Sequence, residues 1–166
     1  MPNAQATSTE RDPADALLAL DRQVCFALYS ASLAMTKLYK PLLAPLGLTY
    51  PQYLAMLVLW EQERLSVGEL GDRLALDSGT LTPLLKRLEQ QGLVERERDP
   101  DDERRVLLHL TPAGRDLKIA ARRVPPNILQ ATSCDLGQIS SLTRQLAELR
   151  DSLSQATIDV VNRPPH

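Results

Sequence analysis

Apolar positions recur every three or four residues from Ala14 to about Leu43, at Leu17, Leu20, Val24, Leu28, Met35, Leu38 and Leu42, which predicts one long helix. Pro41 and Pro45 are expected to close it and Gly47 to mark the turn. Thr49 with Gln52 three residues on forms a capping-box pattern, and Pro51 is tolerated in a first turn, so a second helix is expected through Leu54, Leu57 and Val58 to Trp60. Ser66 and Glu69 repeat the box before a short helix with Val67, Leu70 and Leu74 on one face. A turn is expected at Leu76-Asp77-Ser78-Gly79, then a fourth helix to Gln91, with Gly92 as its left-handed stop. Two β-type runs follow, Leu93–Arg98 and Arg105–Leu110, with Val106, Leu108 and Leu110 alternating against Arg105, Leu107 and His109. Thr111-Pro112 opens a fifth helix, interrupted at Pro125-Pro126. The last helix carries Leu136, Ile139, Leu142, Leu146, Leu149 and Leu153, a stripe that needs a partner surface.

The expected fold is therefore mainly α with a small β-hairpin: a winged helix-turn-helix between helical N- and C-terminal regions. Its divisions are a disordered tail at 1–13, an N-terminal helix at 14–48, the winged unit at 49–111, C-terminal helices at 112–161 and a tail at 162–166. In the fourth helix Leu81, Leu84, Leu85 and Leu88 share the face to be buried. The opposite face presents Gly79, Thr82, Pro83, Lys86 and Gln90, with Thr80 and Arg87 on its flank and Ser78 at its start. Small residues there permit close approach to base edges, while Lys86 and Arg87 can reach phosphates or guanines. Pro83 fits if it falls in the first turn, where N–H groups have no partner. In the hairpin Arg96, Arg98, Arg104 and Arg105 flank an acidic tip, and an arginine there suits a narrow minor groove. Asp102 or Asp99 is expected to hold Arg104 through a bidentate pair. Any amphipathic helix shows such a polar face, however. From Arg64 to Arg123 there are 12 basic and 11 acidic residues, so regional charge adds no support for nucleic-acid binding.

Composition narrows the class. The chain has 166 residues, 43% hydrophobic and 24% charged, with one Phe and one Trp, so it can build a core and that core must be aliphatic. Net charge is −2, which argues against a general nucleic-acid coat but not against a binder with its basic groups on one face. No apolar run reaches membrane-spanning length, and Met1–Pro13 lacks a signal-peptide pattern, so a cytoplasmic protein without membrane contact is expected. Two cysteines and two histidines (His109 and His166) make no metal-ligand pattern, and no cofactor is called for.

Cys25 follows Val24 on the apolar side of the first helix, where a thiol ordinarily serves as a small core hydrophobe. All four tyrosines, Tyr29, Tyr39, Tyr50 and Tyr53, nevertheless fall within 28 residues of it, and a phenol hydroxyl can donate to a thiolate. Tyr29 is one turn along the same face. Tyr39, fourteen residues on, lies about 21 Å away along a continuous helix and can reach only the Cys25 of an antiparallel partner. Cys134, in Ser133-Cys134-Asp135, is placed on an exposed turn and reads as an incidental surface thiol.

Several segments carry a resemblance. Tyr50-Pro51-Gln52-Tyr53-Leu54, the run Leu76–Leu93 (LDSGTLTPLLKRLEQQGL), Asp101–Val106 and Leu110–Gly114 resemble the MarR family of dimeric repressors, over roughly Asp15 to Val161. Leu76–Leu93 together with Cys25–Tyr29 and Tyr39–Leu43 is similar to the organic hydroperoxide resistance regulators (OhrR type) of that family. The resemblance implies a homodimer with interlocked terminal helices, one recognition helix per half-site, and half-sites about 34 Å apart on double-stranded operator DNA. It also implies that Tyr39 and Tyr50 contact the sensing Cys25 across the dimer, and that Cys134 acts as the resolving thiol of a two-cysteine class. Organic hydroperoxide would oxidise Cys25, a disulfide to Cys134 would release the DNA, and cellular thiols would restore the repressor. The apolar neighbours Val24, Phe26 and Leu28 favour organic over hydrogen peroxide. No enzymatic activity is expected. Three alternatives stay open: a repressor of the same fold sensing a phenolic ligand, with incidental cysteines; a thiol peroxidase, against which stands the absence of CxxC and of a thioredoxin-like strand pattern; and a dimerisation module without DNA binding.

Overall fold

Local capping chemistry sets most element boundaries in the computed structural model, which describes residues 18–102 and 104–161. The expected tails at 1–13 and 162–166, the helix start at Ala14–Leu17 and Glu103 lie outside the described residues. The rest divides into two compact units, one ending at Arg115 and one beginning at Asp116.

In the first unit, helix α1 runs Val24–Leu43 after a single 3-10 turn at Leu20–Arg22. The expected helix is thus broken at Gln23, whose backbone is extended and whose side chain makes no cap, so nothing in the local sequence marks the boundary. Pro41 does not close the helix but lies inside it. A 3-10 turn at Ala44–Leu46 and Gly47, with φ 67°, make the turn instead. Helix α2 (Tyr50–Glu61) begins at the expected box, where Thr49 N donates to Gln52 Oε1 at 2.8 Å. Strand β1 (Arg64–Ser66) follows, then α3 (Val67–Leu74), capped by Ser66, and α4 (Ser78–Gln90). Strands β2 (Val94–Arg98) and β3 (Val106–Leu110) complete a three-stranded antiparallel sheet in the order β1-β3-β2.

The sheet is one strand larger than the expected hairpin. β1 pairs Leu65 with Leu108 and is too short for any alternation to announce it. Leu107 and Leu108, on opposite faces of the central strand β3, are both buried, so the half-buried alternation expected there fails at Leu107. The core of this unit gathers Leu43, Met56, Leu59, Leu70, Leu81, Leu85, Leu88 and Leu108, aliphatic as the composition requires. Trp60 closes its edge by donating Nε1–H to the carbonyl of Gly114 at 2.8 Å.

Beyond the sheet come α5 (Pro112–Ala121), α6 (Val124–Thr132) and α7 (Leu136–Val161). The expected interruption at Pro125-Pro126 is therefore misplaced. The chain breaks before these prolines, which sit in the first turn of α6 where no N–H is needed, and this adds a helix. Asp135 and Gln138 cap α7 reciprocally, Asp135 N donating to Gln138 Oε1 at 2.9 Å and Gln138 N to Asp135 Oδ1 at 2.8 Å. No single described helix is long and apolar enough to cross a membrane.

Candidate nucleic-acid interface and thiol centre

Helices α3 and α4 meet through a three-residue turn, Ala75-Leu76-Asp77, one step earlier than expected. Asp77 ends the turn because its carboxylate accepts Thr80 N at 2.8 Å, which makes Ser78 and Gly79 already helical. The same hydrogen bonds from Thr80 hold the Asp77 carboxyl below the usual carboxylate range. Ala75 takes the left-handed conformation (φ 52°), and Leu76 N returns to Gly71 O at 3.0 Å. Gly71 is required for this approach: a Cβ there would lie 2.9 Å from Leu81 Cδ1 and 3.0 Å from Leu76 O.

The two-sidedness of α4 is as read. Leu81, Leu84, Leu85 and Leu88 are buried, while Ser78, Gly79, Thr80, Thr82, Pro83, Lys86, Arg87 and Gln90 are exposed. Because α4 starts at Ser78, Pro83 is its sixth residue, beyond the first turn where it was expected. Gly79, four residues earlier, thereby loses its helical donor on the exposed face. The Thr80 hydroxyl donates to Asp77 Oδ2 at 3.3 Å and that of Thr82 to Ser78 O at 2.7 Å, which leaves outward acceptors on both. Lys86 and Arg87 make no ion pair among the described residues.

The wing arginines separate into two kinds. Arg104 is 95% exposed at the tip; its backbone N donates to Asp102 Oδ1 at 3.0 Å and its Nε stands 3.6 Å from the same oxygen. The expected bidentate pair is absent, because Asp102 spends the oxygen on the turn backbone. Asp99 faces Arg105 rather than Arg104, at 4.0 Å, and its Oδ1 accepts Asp101 N at 3.0 Å. The acidic tip thus shapes the turn. Arg98 is exposed, whereas Arg96 is tied to Glu89 of α4. A groove of about 500 Å³ runs between the wing and the two helices, lined by Val67, Gly68, Thr82, Leu85, Arg104 and Arg105.

Cys25 is exposed and stands second in α1, in the first turn rather than in mid-helix. A core role is excluded by its surroundings: Val24 is 59% exposed and Phe26 39%. Tyr29 is exposed too. Tyr39 and Tyr50 are brought together, ring centroids 4.4 Å apart, and Tyr53 joins them at 5.8 Å from Tyr39. Burial, reinforced by Tyr50 and Tyr53, pushes the Tyr39 hydroxyl up to about 12, and burial raises Tyr50 and Tyr53 as well. An apolar cavity of about 470 Å³ opens beside Tyr50, walled by Ala44, Leu48 and Pro51, with Lys37 and Lys40 among its lining. In the second unit Cys134 is half-buried between α6 and α7, its Sγ 3.3 Å from Thr132 O. Both thiols are free, and no three His, Cys, Asp or Glu side chains gather as metal ligands among the described residues.

Residues 48–106 match the model of the MarR family. The chain is 51% identical over 136 residues to the organic hydroperoxide resistance transcriptional regulator of Bacillus subtilis, covering 82% of this chain and 92% of that one. Among solved structures it is similar to AbfR, a protein of Staphylococcus epidermidis. Reduced AbfR bound to DNA matches with a TM-score of 0.70 at 34% identity, over 86% of this chain and 98% of that one. Overoxidized AbfR bound to DNA gives 0.68 at 34%, over 84% and 98%. The disulfide-formed protein gives 0.57 at 36%, over 82% and 96%. With the helix-turn-helix, the wing and these likenesses together, the chain belongs to the MarR family of winged helix-turn-helix proteins.

Proposed function

We propose that this protein is a cytoplasmic, homodimeric repressor that binds operator DNA when reduced and is released when organic hydroperoxide oxidises Cys25. The observation that carries the reading is the Cys25 thiol, exposed in the single chain at the start of α1, in a chain so similar to a hydroperoxide resistance regulator. Ser78, Thr80, Thr82, Pro83, Lys86, Arg87 and Gln90 present α4 to the major groove, and Arg98 and Arg104 carry the wing to the minor groove. Tyr39 and Tyr50 act on the partner's thiol; Tyr29 acts on its own.

The Cys25 thiolate attacks the distal peroxide oxygen, the O–O bond breaks, and the alkoxide leaves and is protonated to the alcohol; the cysteine becomes a sulfenic acid. The Cys134 thiol attacks that sulfur, expelling water and forming a disulfide. Two cellular thiols reduce the bond and are themselves oxidised to a disulfide. Closing the cross-link pulls two units of the dimer together and changes the spacing of the recognition helices. Overoxidation cannot make that cross-link, which agrees with overoxidized AbfR being found on DNA.

Non-reducing electrophoresis beside a DNA mobility shift, before and after cumene hydroperoxide, tests the proposal. Wild type should give a covalent dimer and lose the DNA complex; Cys134→Ser should give no covalent dimer, and Cys25→Ser should stay on DNA. The apolar cavity beside Tyr50 favours one second reading, a repressor that answers a phenolic ligand with its cysteines incidental. It predicts that Cys25→Ser responds to peroxide as wild type does.

A further inference from the structure

Arg105 and Arg104 are neighbours in sequence and opposites in geometry. Arg105 closes the wing tip with its backbone, its carbonyl accepting Asp99 N at 3.0 Å and its N–H donating to Asp102 O at 2.8 Å. Its side chain turns back from the tip. Nη2 stands 3.5 Å from Glu69 Oε2 on α3, and Nε 4.0 Å from Asp99 Oδ2, a carboxylate only 13% exposed. Glu69 is itself fixed, because the same Oε2 accepts Ser66 N at 2.6 Å in the capping box while Ser66 Oγ accepts Glu69 N at 3.2 Å.

That fixation changes what an exposed ion pair is worth. Such pairs ordinarily contribute little, since two long side chains must be ordered to form them. Here the capping box has already ordered the acid, so only Arg105 is restrained. The wing also needs an external tie: its tip is polar and exposed, and the groove of about 500 Å³ separates it from α3 and α4. Two ion pairs cross that gap, Arg96 to Glu89 on α4 and Arg105 to Glu69 on α3.

We infer that Arg105 is a positioning residue, which with Glu69 sets the angle of the wing against α3, while Arg104 is the arginine presented to DNA. The inference rests on the DNA-binding reading above for its consequence in affinity, not for the strut itself.

The test uses full-length reduced dimer and an operator duplex selected by that protein from a random-sequence pool, with affinity followed against salt. Each cationic side chain withdrawn from the DNA, whose counterions it displaced, lowers the slope of log affinity against log salt by about one. Arg104→Gln should lower the slope by about one per wing. Arg105→Gln and Glu69→Gln should weaken binding by up to about fivefold per wing, with the wild-type slope. Gln fills the third capping-box position as Glu does, so Glu69→Gln keeps the helix cap and loses only the ion pair. The double variant should bind as Arg105→Gln does, because Glu69→Gln then has no ion pair left to remove. A lowered slope in Arg105→Gln, or wild-type affinity in Glu69→Gln, would overturn the assignment. Hydrogen exchange of the free protein reads the strut without DNA. The Asp99 and Arg105 amides should exchange faster in both strut variants and not in Arg104→Gln. Unchanged exchange in the strut variants refutes the strut, whereas failure of wild type to bind any selected duplex refutes only the regulator.

Discussion

The rings of Tyr39 on α1 and Tyr50, the first residue of α2, meet at a tilt of 38° with centroids 4.4 Å apart across the turn at Gly47. Their hydroxyls hold their protons more tightly than a free phenol, Tyr39 up to about 12 through burial and its two neighbours, so both remain donors at neutral pH. Cys25 lies fourteen residues before Tyr39 on the same unbroken helix, about 21 Å along its axis, so this pair cannot serve the thiol of its own chain. In the proposed dimer, with crossed first helices, the pair meets the Cys25 thiol of the other subunit.

Tyr39→Phe should therefore slow oxidation of Cys25 by limiting cumene hydroperoxide about tenfold, the worth of one hydrogen bond to a charged group. Stopped-flow loss of free thiol measures it, and an unchanged rate removes Tyr39 from the centre.

The same burial predicts an alkaline weakness. The folded state keeps the Tyr39 proton where the unfolded chain, at the ordinary 10.0, has lost it. Above pH 10 the unfolded state thus binds fewer protons, and stability falls as pH rises from 10 to about 12, having been complete below 10. Urea midpoints followed over this window should drop less steeply in Tyr39→Phe. Equal slopes would show that Tyr39 is as free as an exposed phenol.

Gly114→Ala should destabilise the first unit by at least about 2 kcal/mol, because the new Cβ would fall 2.1 Å from the Leu93 carbonyl oxygen. Backbone, not a flexible side-chain end, is what it meets. Trp60→Phe, which takes the indole donor from the Gly114 carbonyl, should cost about 1–3 kcal/mol. Urea unfolding followed by circular dichroism reports both; a Gly114→Ala midpoint equal to wild type would mean that α5 can move away from Leu93.

Where the sequence was legible, the signal was local. Thr49 with Gln52 and Ser66 with Glu69 sit three residues apart, and the Leu81, Leu84, Leu85 and Leu88 row is a helix period, so caps and buried face could be read directly. Asp135 with Gln138 carries the same signal at the start of α7. Strand β1 had none, since three residues cannot show an alternation and its pairing with β3 is made far along the chain. The exposure of Cys25 was hidden because an apolar helical face predicts burial without saying what provides it. Arg105 looked like any other wing arginine until its carboxylate partners, one of them on another element, were in place.

The last helix makes the strongest demand on a partner. Along α7 Leu142 is 49% exposed, Leu146 40% and Leu153 55%, and on α1 Leu33 is 46% exposed beside Val24 and Phe26. Each such side chain gains about 1.5–3 kcal/mol when fully covered, so the α7 stripe by itself should not stay in water at working concentrations. Placing carboxylates in that stripe, as Leu142→Glu with Leu146→Glu, opposes its burial, because a charge is costly to cover unless paired. Sedimentation velocity should find wild type as a dimer and the double variant as a monomer with little change in thermal stability of the winged unit. Operator affinity should fall steeply, as two half-sites are no longer held by one molecule, and hydroperoxide should yield no covalent dimer. A double variant that still sediments as a dimer and still binds its operator would place the subunit contact away from α7 and leave these leucines without a reason.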